Sequence, residues 1–256
     1  MKKILIVDSD PAELNARRAA RGAQATGAEY AAVLAALRDD LDLTVIAPYD
    51  GDVAPDLSGF DGVVFTGSGV EWNTDDPRAA PLADVMRAAF AAGRPTFGSC
   101  NGMQLAVSVL GGAVGESPKG REDGLAIGVR LTEAGRTHPM LAGRRDGYAV
   151  PCVHRDEVLR MPEGAELLAR NDHSAVQALA YDRDGIRFWG VQYHPEYDAE
   201  AMAGMLDSRN LTTPQMRADL AVVTRDPAAA ERLGTTCAEQ TLPDRAVELR
   251  NWLATL

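Results

Sequence analysis

Apolar residues along the chain recur with two periods, and the switch between them divides it into strands and helices. Short apolar runs bounded by Asp, Gly and Pro fall near 3–8, 42–47, 62–66 and 95–99. They are too short for buried helices and read as strands buried on both faces. Between or after them, residues 25–39, 79–92 and 101–110 carry alanine-rich segments with apolar positions three and four apart, which predicts helices. Alternating strands and helices imply an α/β fold, a mostly parallel central sheet with helices on both faces and an active site at the carboxyl ends of the strands. From about 112 to 192 the pattern changes to short strands near 126–131, 148–153, 166–169, 175–180 and 187–193, broken by Gly, Pro and Asp. These are expected to complete the sheet and add a small antiparallel layer beside the cleft.

Two regions stand apart. Residues 10–26 are long for a first connection, and Arg17, Arg18 and Arg21 suggest a helical extension or a lid near the site, with a solvated loop as the plain alternative. Residues 208–256 carry helical spacing from Leu242 to Leu256 that buries one face of Val247, Leu249, Trp252 and Leu253. That face packs either on the domain formed by residues 1–207 or against a second chain, which would make a homodimer.

Lys and Arg number 26 against 37 Asp and Glu, a net charge of −11. This argues against nucleic acid or an anionic membrane as a partner. The apolar run Ile4–Val7 is four residues long, so the N-terminus reads as a first strand rather than a leader, and no run approaches the roughly 20 residues of a membrane helix. Three cysteines suit a reducing, cytoplasmic setting.

The chemistry gathers at Gly98-Ser99-Cys100-Asn101-Gly102, between a strand and a helix. Gly-x-Cys-x-Gly at such a junction is the pattern of a nucleophile elbow. The turn is sharp enough to strain the nucleophile's backbone, and a side chain at either glycine would strike the neighbouring strand or helix. The helix N-terminus behind Cys100 favours an anionic sulfur. Of four histidines, His194 ends a strand-like segment and opens His194-Pro195-Glu196, so Glu196 can hold the ring's second nitrogen.

These motifs resemble the triad-type class I glutamine amidotransferases, and the resemblance extends through residues 1–207. Asp61–Gly69 is similar to the family's third strand and glycine-rich oxyanion loop. Arg121-Glu122-Asp123-Gly124 resembles a stretch in the glutaminase domain of GMP synthase, Thr137–Leu141 a segment that follows it, and His154–Val158 the family's His-x-Asp-x-Val segment. The resemblance implies a flavodoxin-like sheet, with Cys100, His194 and Glu196 as the catalytic residues. It further implies the amides of Gly67 and Asn101 as oxyanion donors, and Gln104, Gly69, Arg121 and Glu122 around the substrate. The implied reaction releases ammonia from glutamine through a Cys-linked γ-glutamyl thioester, for a separate synthetase or ligase subunit. The alternative is a stand-alone γ-glutamyl amide or peptide hydrolase, and a non-catalytic regulatory protein ranks third. No cofactor is implied. The glycine loop here lacks the family's frequent proline but keeps its amides, and Asn101 replaces a residue that is often bulky.

The remaining candidates have plainer readings. Cys152 is expected to be a small core hydrophobe, Cys237 a loop residue, His138 a turn residue and His173 a solvated hairpin tip. His154 is expected to make structural hydrogen bonds, with a place on the pocket rim as its other reading. No group of these residues has metal-ligand spacing.

Overall fold

A computed structural model describes residues 1–256. Its strands are β1 Lys2–Val7, β2 Leu41–Ile46, β3 Gly62–Phe65, β4 Thr96–Ser99, β5 Ala113–Glu116, β6 Glu122–Leu131, β7 Tyr148–His154, β8 Asp156–Arg160, β9 Glu166–Arg170, β10 Ala178–Arg183 and β11 Ile186–Val191. Its α-helices are α1 Ala12–Ala19, α2 Thr26–Leu37, α3 Ala80–Ala91, α4 Asn101–Val109, α5 Glu133–Thr137, α6 Ala199–Ser208, α7 Pro214–Leu220, α8 Pro227–Arg232 and α9 Val247–Ala254.

The run Ile4-Leu5-Ile6-Val7 shows why the sheet is central. Successive side chains of a strand point to opposite faces, so a strand apolar at every position needs cover on both. Ile4 and Ile6 join one core with Tyr30, Phe97 and Trp252, beneath α2 and α9. Leu5 and Val7 join the other with Phe65, Met86, Met103 and Phe188, beneath α3 and α4. The nine strands run in the order β2-β1-β3-β4-β11-β10-β9-β6-β7. The pairs from β2 to β11 are parallel and those beyond are antiparallel.

The carboxyl ends of β1, β3, β4 and β11 therefore lie side by side and deliver Asp8, the 66–69 loop, Cys100 and His194 to one edge. A separate antiparallel pair, β5 with β8, forms the small second layer. Those two strands were not expected from the sequence. Each is short, and β8 buries only its first three residues, Asp156, Glu157 and Val158, so two of its three buried positions are acidic. Strand β6 also begins earlier than expected, at Glu122, because the polar Glu122-Asp123 pair is held by register with His154 and Val153 of β7.

Residues 10–26 contain α1, a helix with no buried residue. The C-terminal segment packs into the main core. A Cβ on Gly62 would lie 2.8 Å from the Trp252 ring, so glycine at the start of β3 is what admits the indole. Glu248 of α9 is fully buried and accepts from Tyr193 Oη at 2.8 Å and from Arg144 Nε at 2.8 Å. The C-terminal helix thus supports the strand end that carries His194.

Candidate active site

Cys100 joins β4 to α4 with φ +49° and ψ −106°, a conformation rare for any residue but glycine. Its amide donates to Val191 O at 2.7 Å, which ties the turn to the end of β11. The flanking glycines make the turn sterically feasible. A Cβ on Gly98 would lie 2.5 Å from the carbonyl carbon of Gly102, and one on Gly102 would lie 2.5 Å from Phe65 O. One glycine lets helix approach strand, and the other lets helix approach the adjacent strand. Cys100 is 5% exposed, and its sulfur opens into a cleft of about 150 Å³.

His194 follows β11 and is fixed from several sides. Its amide donates to Pro151 O at 2.8 Å, Glu196 Oε1 lies 2.7 Å from Nδ1, and the ring stacks on Tyr197 with 4.5 Å between centroids. The 66–69 loop presses on the ring, since a Cβ on Gly67 would lie 2.4 Å from His194 Cε1. Burial works against a charged ring, but the Glu196 carboxylate and the Cys100 sulfur outweigh it, and His194 is pushed up to about 10.

The two expected oxyanion donors, the amides of Asn101 and Gly67, are both without a backbone acceptor. Asn101 is the first residue of α4, where an amide has no intrahelical acceptor. The Gly67 amide donates to no backbone acceptor either. The Gly69 amide, by contrast, is taken by Asp10 Oδ1 at 2.7 Å, so Gly69 contributes cleft surface rather than a free donor.

Gln104 lines the cleft and is 5% exposed. Its Nε2 donates to Asp156 O at 2.6 Å and faces Gln192 Oε1 at 3.2 Å. Gln192 is fully buried and its Nε2 donates to Cys100 Sγ at 3.7 Å. Gln192 was not among the site residues expected from the sequence. Its signal was its place two residues before His194 on an otherwise apolar strand end.

Arg121 is an exposed cleft residue forked onto Asp123 at 2.9 Å. Glu122 sits differently from what the resemblance implied. Its carboxylate is turned inward and accepts from His154 Nε2 at 2.9 Å, Asn171 Nδ2 at 2.6 Å, Gln177 Nε2 at 2.7 Å and Cys152 Sγ at 3.7 Å. Burial opposes its charge, but these donors outweigh that and hold the carboxyl below its ordinary range. Glu122 can therefore reach the cleft only through His154, which lines it and also places Nδ1 3.0 Å from Asp156 O.

Glu122, Cys152 and His154 form the one cluster with metal-ligand reach. The carboxylate already has four donors and burial pushes the Cys152 thiol well up, so this is a hydrogen-bonded knot. His138 accepts from Met140 N as a turn residue. His173 is half-buried with Nε2 3.2 Å from Gly120 O, rather than a solvated tip.

A sequence profile described as glutamine amidotransferase class-I matches residues 31–209. The chain belongs to that family. Among curated relatives, it is 41% identical over 153 residues to a γ-glutamyl-L-1-hydroxyisopropylamide hydrolase of a Pseudomonas species, covering 59% of this chain and 52% of the relative. It is 37% identical over 141 residues to a GMP synthase (glutamine-hydrolysing) of Symbiobacterium thermophilum, covering 54% of this chain and 25% of the relative. The chain thus spans about half the length of the first of these and a quarter of the second. Among solved structures, a glutamine amidotransferase from Thermotoga maritima superposes with TM-score 0.63 at 17% identity, covering 99% of this chain and 97% of that one, a likeness of fold.

Proposed function

We propose that the family member described here hydrolyses the γ-amide bond of a γ-glutamyl compound, with Cys100 as nucleophile. The observation that carries the proposal is the strained Cys100 elbow set against a buried His194 whose Nδ1 is held by Glu196. In this reading the γ-glutamyl group occupies the cleft of about 150 Å³. Cys100 sulfur forms a bond to the amide carbon, and His194 carries the proton taken from the thiol. The negative charge on the former carbonyl oxygen is met by the free amides of Gly67 and Asn101, and losing one such donor typically costs about 100- to 1000-fold in rate. The carbon–nitrogen bond then breaks and the His194 proton goes to the departing nitrogen, leaving a thioester. Water, deprotonated by His194, adds to the thioester carbon, and glutamate leaves with the thiol restored.

Gln192 and the Gln104–Asp156–His154–Glu122 chain are positioning residues in this scheme. The Gln192 amide holds the sulfur, and Gln104 is fixed by the Asp156 carbonyl that His154 also engages.

The departing nitrogen has two readings. Among relatives, the hydrolase named for γ-glutamyl-L-1-hydroxyisopropylamide supports an amine larger than ammonia. The GMP synthase relative supports ammonia from glutamine, handed to a synthetase. The higher identity to the hydrolase, 41% against 37%, favours the amine, which reverses the order reached from the sequence. Release of glutamate from L-glutamine and from a panel of γ-glutamyl amides tests the proposal, with Cys100→Ala as control. Glutamate release by the wild type from at least one compound is expected, and equal release by Cys100→Ala would overturn it.

A further inference from the structure

On the Glu196 and Tyr197 side of the imidazole lies a second cleft, of about 1010 Å³, lined by neither Cys100 nor His194. Arg245, just ahead of α9, shares its wall with Glu196 and Tyr197. Arg245 is 6% exposed, and its Nε donates to Pro195 O at 3.2 Å. Pro195 stands between His194 and Glu196, so the guanidinium grips the turn that carries both. The segment holding Arg245 is clamped in its own right. Arg144 donates from Nη1 to Asp244 O at 2.7 Å, from Nη2 to Arg245 O at 2.8 Å, and to both carboxylate oxygens of Glu248 at 2.8 Å. Residues 244–248 lie beyond position 209, where the family profile ends, so a part of the chain outside the profile braces the turn.

Glu196 needs more compensation than His194 alone supplies. It is 2% exposed. Its Oε1 is held by His194 Nδ1 at 2.7 Å, but its Oε2 is buried without a hydrogen-bond partner. A buried carboxylate with one oxygen unpartnered is destabilised unless a cation stands near. The other charged and titratable groups around the turn are mostly engaged. Cys100 faces His194 from the start of α4. Arg18 and Glu29 pair with each other, and Arg18 lies 5.7 Å from the centre of the Tyr197 ring. Tyr30 and Tyr197 stay neutral, because burial raises both phenols well above their ordinary range. Asp10 accepts from Gly69 N, Ser68 Oγ and Thr26 Oγ1, and Asp198 caps α6 through Ala201 N at 2.8 Å. Arg245 is then the cation on this side with no carboxylate in contact. Burial works against its charge, and Asp198, Glu196 and Glu29, in that order, favour it.

We infer that Arg245 is a positioning residue of the proposed triad: its Nε fixes the His194-Pro195-Glu196 turn, and its charge keeps the Glu196 carboxylate ionised behind His194. The inference rests on the proposed hydrolysis and adds a fourth, C-terminal residue to the machinery.

The test compares wild type with Arg245→Gln, which keeps an N–H donor but no charge, and Arg245→Lys, which keeps the charge. Glutamate release from a γ-glutamyl amide and alkylation of Cys100 by iodoacetamide are each followed across pH, with thermal denaturation as the check on folding. Removing a cation raises the pKa of every acid in its field. Both profiles of Arg245→Gln are therefore expected to move to higher pH by at least about 0.5, less than the roughly 1–3 of a charge in direct contact, because Arg245 forms no ion pair. Its kcat is expected to fall by about 10-fold with KM nearly unchanged, since Arg245 does not line the catalytic cleft. Arg245→Lys is expected to return both profiles to their wild-type position. Glu29, which burial pushes up to about 7 against the pull of Arg18, titrates in the same range, so the comparison is repeated in a Glu29→Gln background. A lower kcat in Arg245→Gln with both profiles unmoved would make Arg245 a prop for the turn alone and overturn the inference, and so would Arg245→Lys behaving as Arg245→Gln. If Arg245→Gln does not fold, Asp198→Asn removes the opposing charge while keeping α6 capped. Its profiles are expected to move to lower pH, and unmoved profiles would again overturn the inference. A shifted alkylation profile in a protein that releases glutamate from no γ-glutamyl compound would remove the proposed function while upholding the coupling of Arg245 to these side chains.

Discussion

Gly102→Ala puts the elbow's geometry to a quantitative test. The new Cβ would lie 2.5 Å from Phe65 O, 2.9 Å from Phe65 Cβ and 3.0 Å from Phe65 C. Ordinary contact begins near 3.4 Å, so the shortfall against the carbonyl oxygen is about 0.9 Å. A flexible side chain could move aside, but here the obstacle is the backbone of β3 in the middle of the sheet. Helix α4 must shift outward instead and take the Cys100 sulfur with it. Overpacking of this kind costs about 1–3 kcal/mol, and for a chain of this size each kcal/mol lowers Tm by roughly 2–4 °C. A displacement near 1 Å at a reacting atom costs on the order of 100-fold in rate. Gly102→Ala is therefore expected to lose roughly 2–12 °C in Tm and about 100-fold in kcat on a γ-glutamyl amide. Gly59→Ala, where nothing lies within 4 Å of the new Cβ, serves as control and is expected to stay near wild type. Thermal denaturation and glutamate release on the three proteins decide it. Wild-type turnover by Gly102→Ala would refute the claim that close helix–strand approach sets the nucleophile.

Other consequences follow from the same contacts. Gln192→Met removes the amide that donates to Cys100 Sγ and is expected to lower kcat by roughly 10-fold, about the worth of one charge-assisted hydrogen bond, with KM nearly unchanged. A change confined to KM would contradict its placement on the sulfur. Glu122→Ala strands the buried His154, Asn171 and Gln177 donors, and a loss of about 3–5 kcal/mol in urea unfolding is expected. Wild-type stability in that variant would show that the knot is not structural. Raised above its ordinary 6.5, His194 contributes stability that is fully present below about pH 6.5 and is lost as pH rises through about 10. The advantage of wild type over Glu196→Gln in unfolding free energy should accordingly be largest at pH 6 and shrink toward pH 10. An advantage that grows with pH would reverse the assignment of charge.

Legibility in the sequence tracked the physics of each element. The parallel strands announced themselves because a strand covered on both faces is apolar at every position, as in Ile4–Val7. The elbow was legible because two glycines around Cys100 record two close backbone approaches, and His194 because the chain order places it at the end of such a strand. Strands β5 and β8 were obscure because half-buried strands with acidic residues look like loops until their partner is known. Glu122 looked like a substrate contact because a sequence does not say which way a carboxylate faces, and only the fold brings His154, Asn171 and Gln177 around it. Gln192 was hidden for the same reason, since its sulfur contact joins positions 92 residues apart.

The central claim is that Cys100 carries the γ-glutamyl group. Its most direct test is acid quenching of the purified protein during turnover of a γ-glutamyl amide, followed by peptide mass mapping, with hydroxylamine added to a parallel sample. The account predicts a γ-glutamyl adduct on the Cys100 peptide that is absent from Cys100→Ala and is released by hydroxylamine as the hydroxamate. Turnover with no acyl adduct, or an adduct on Cys152 or Cys237 with Cys100→Ala still active, would contradict it.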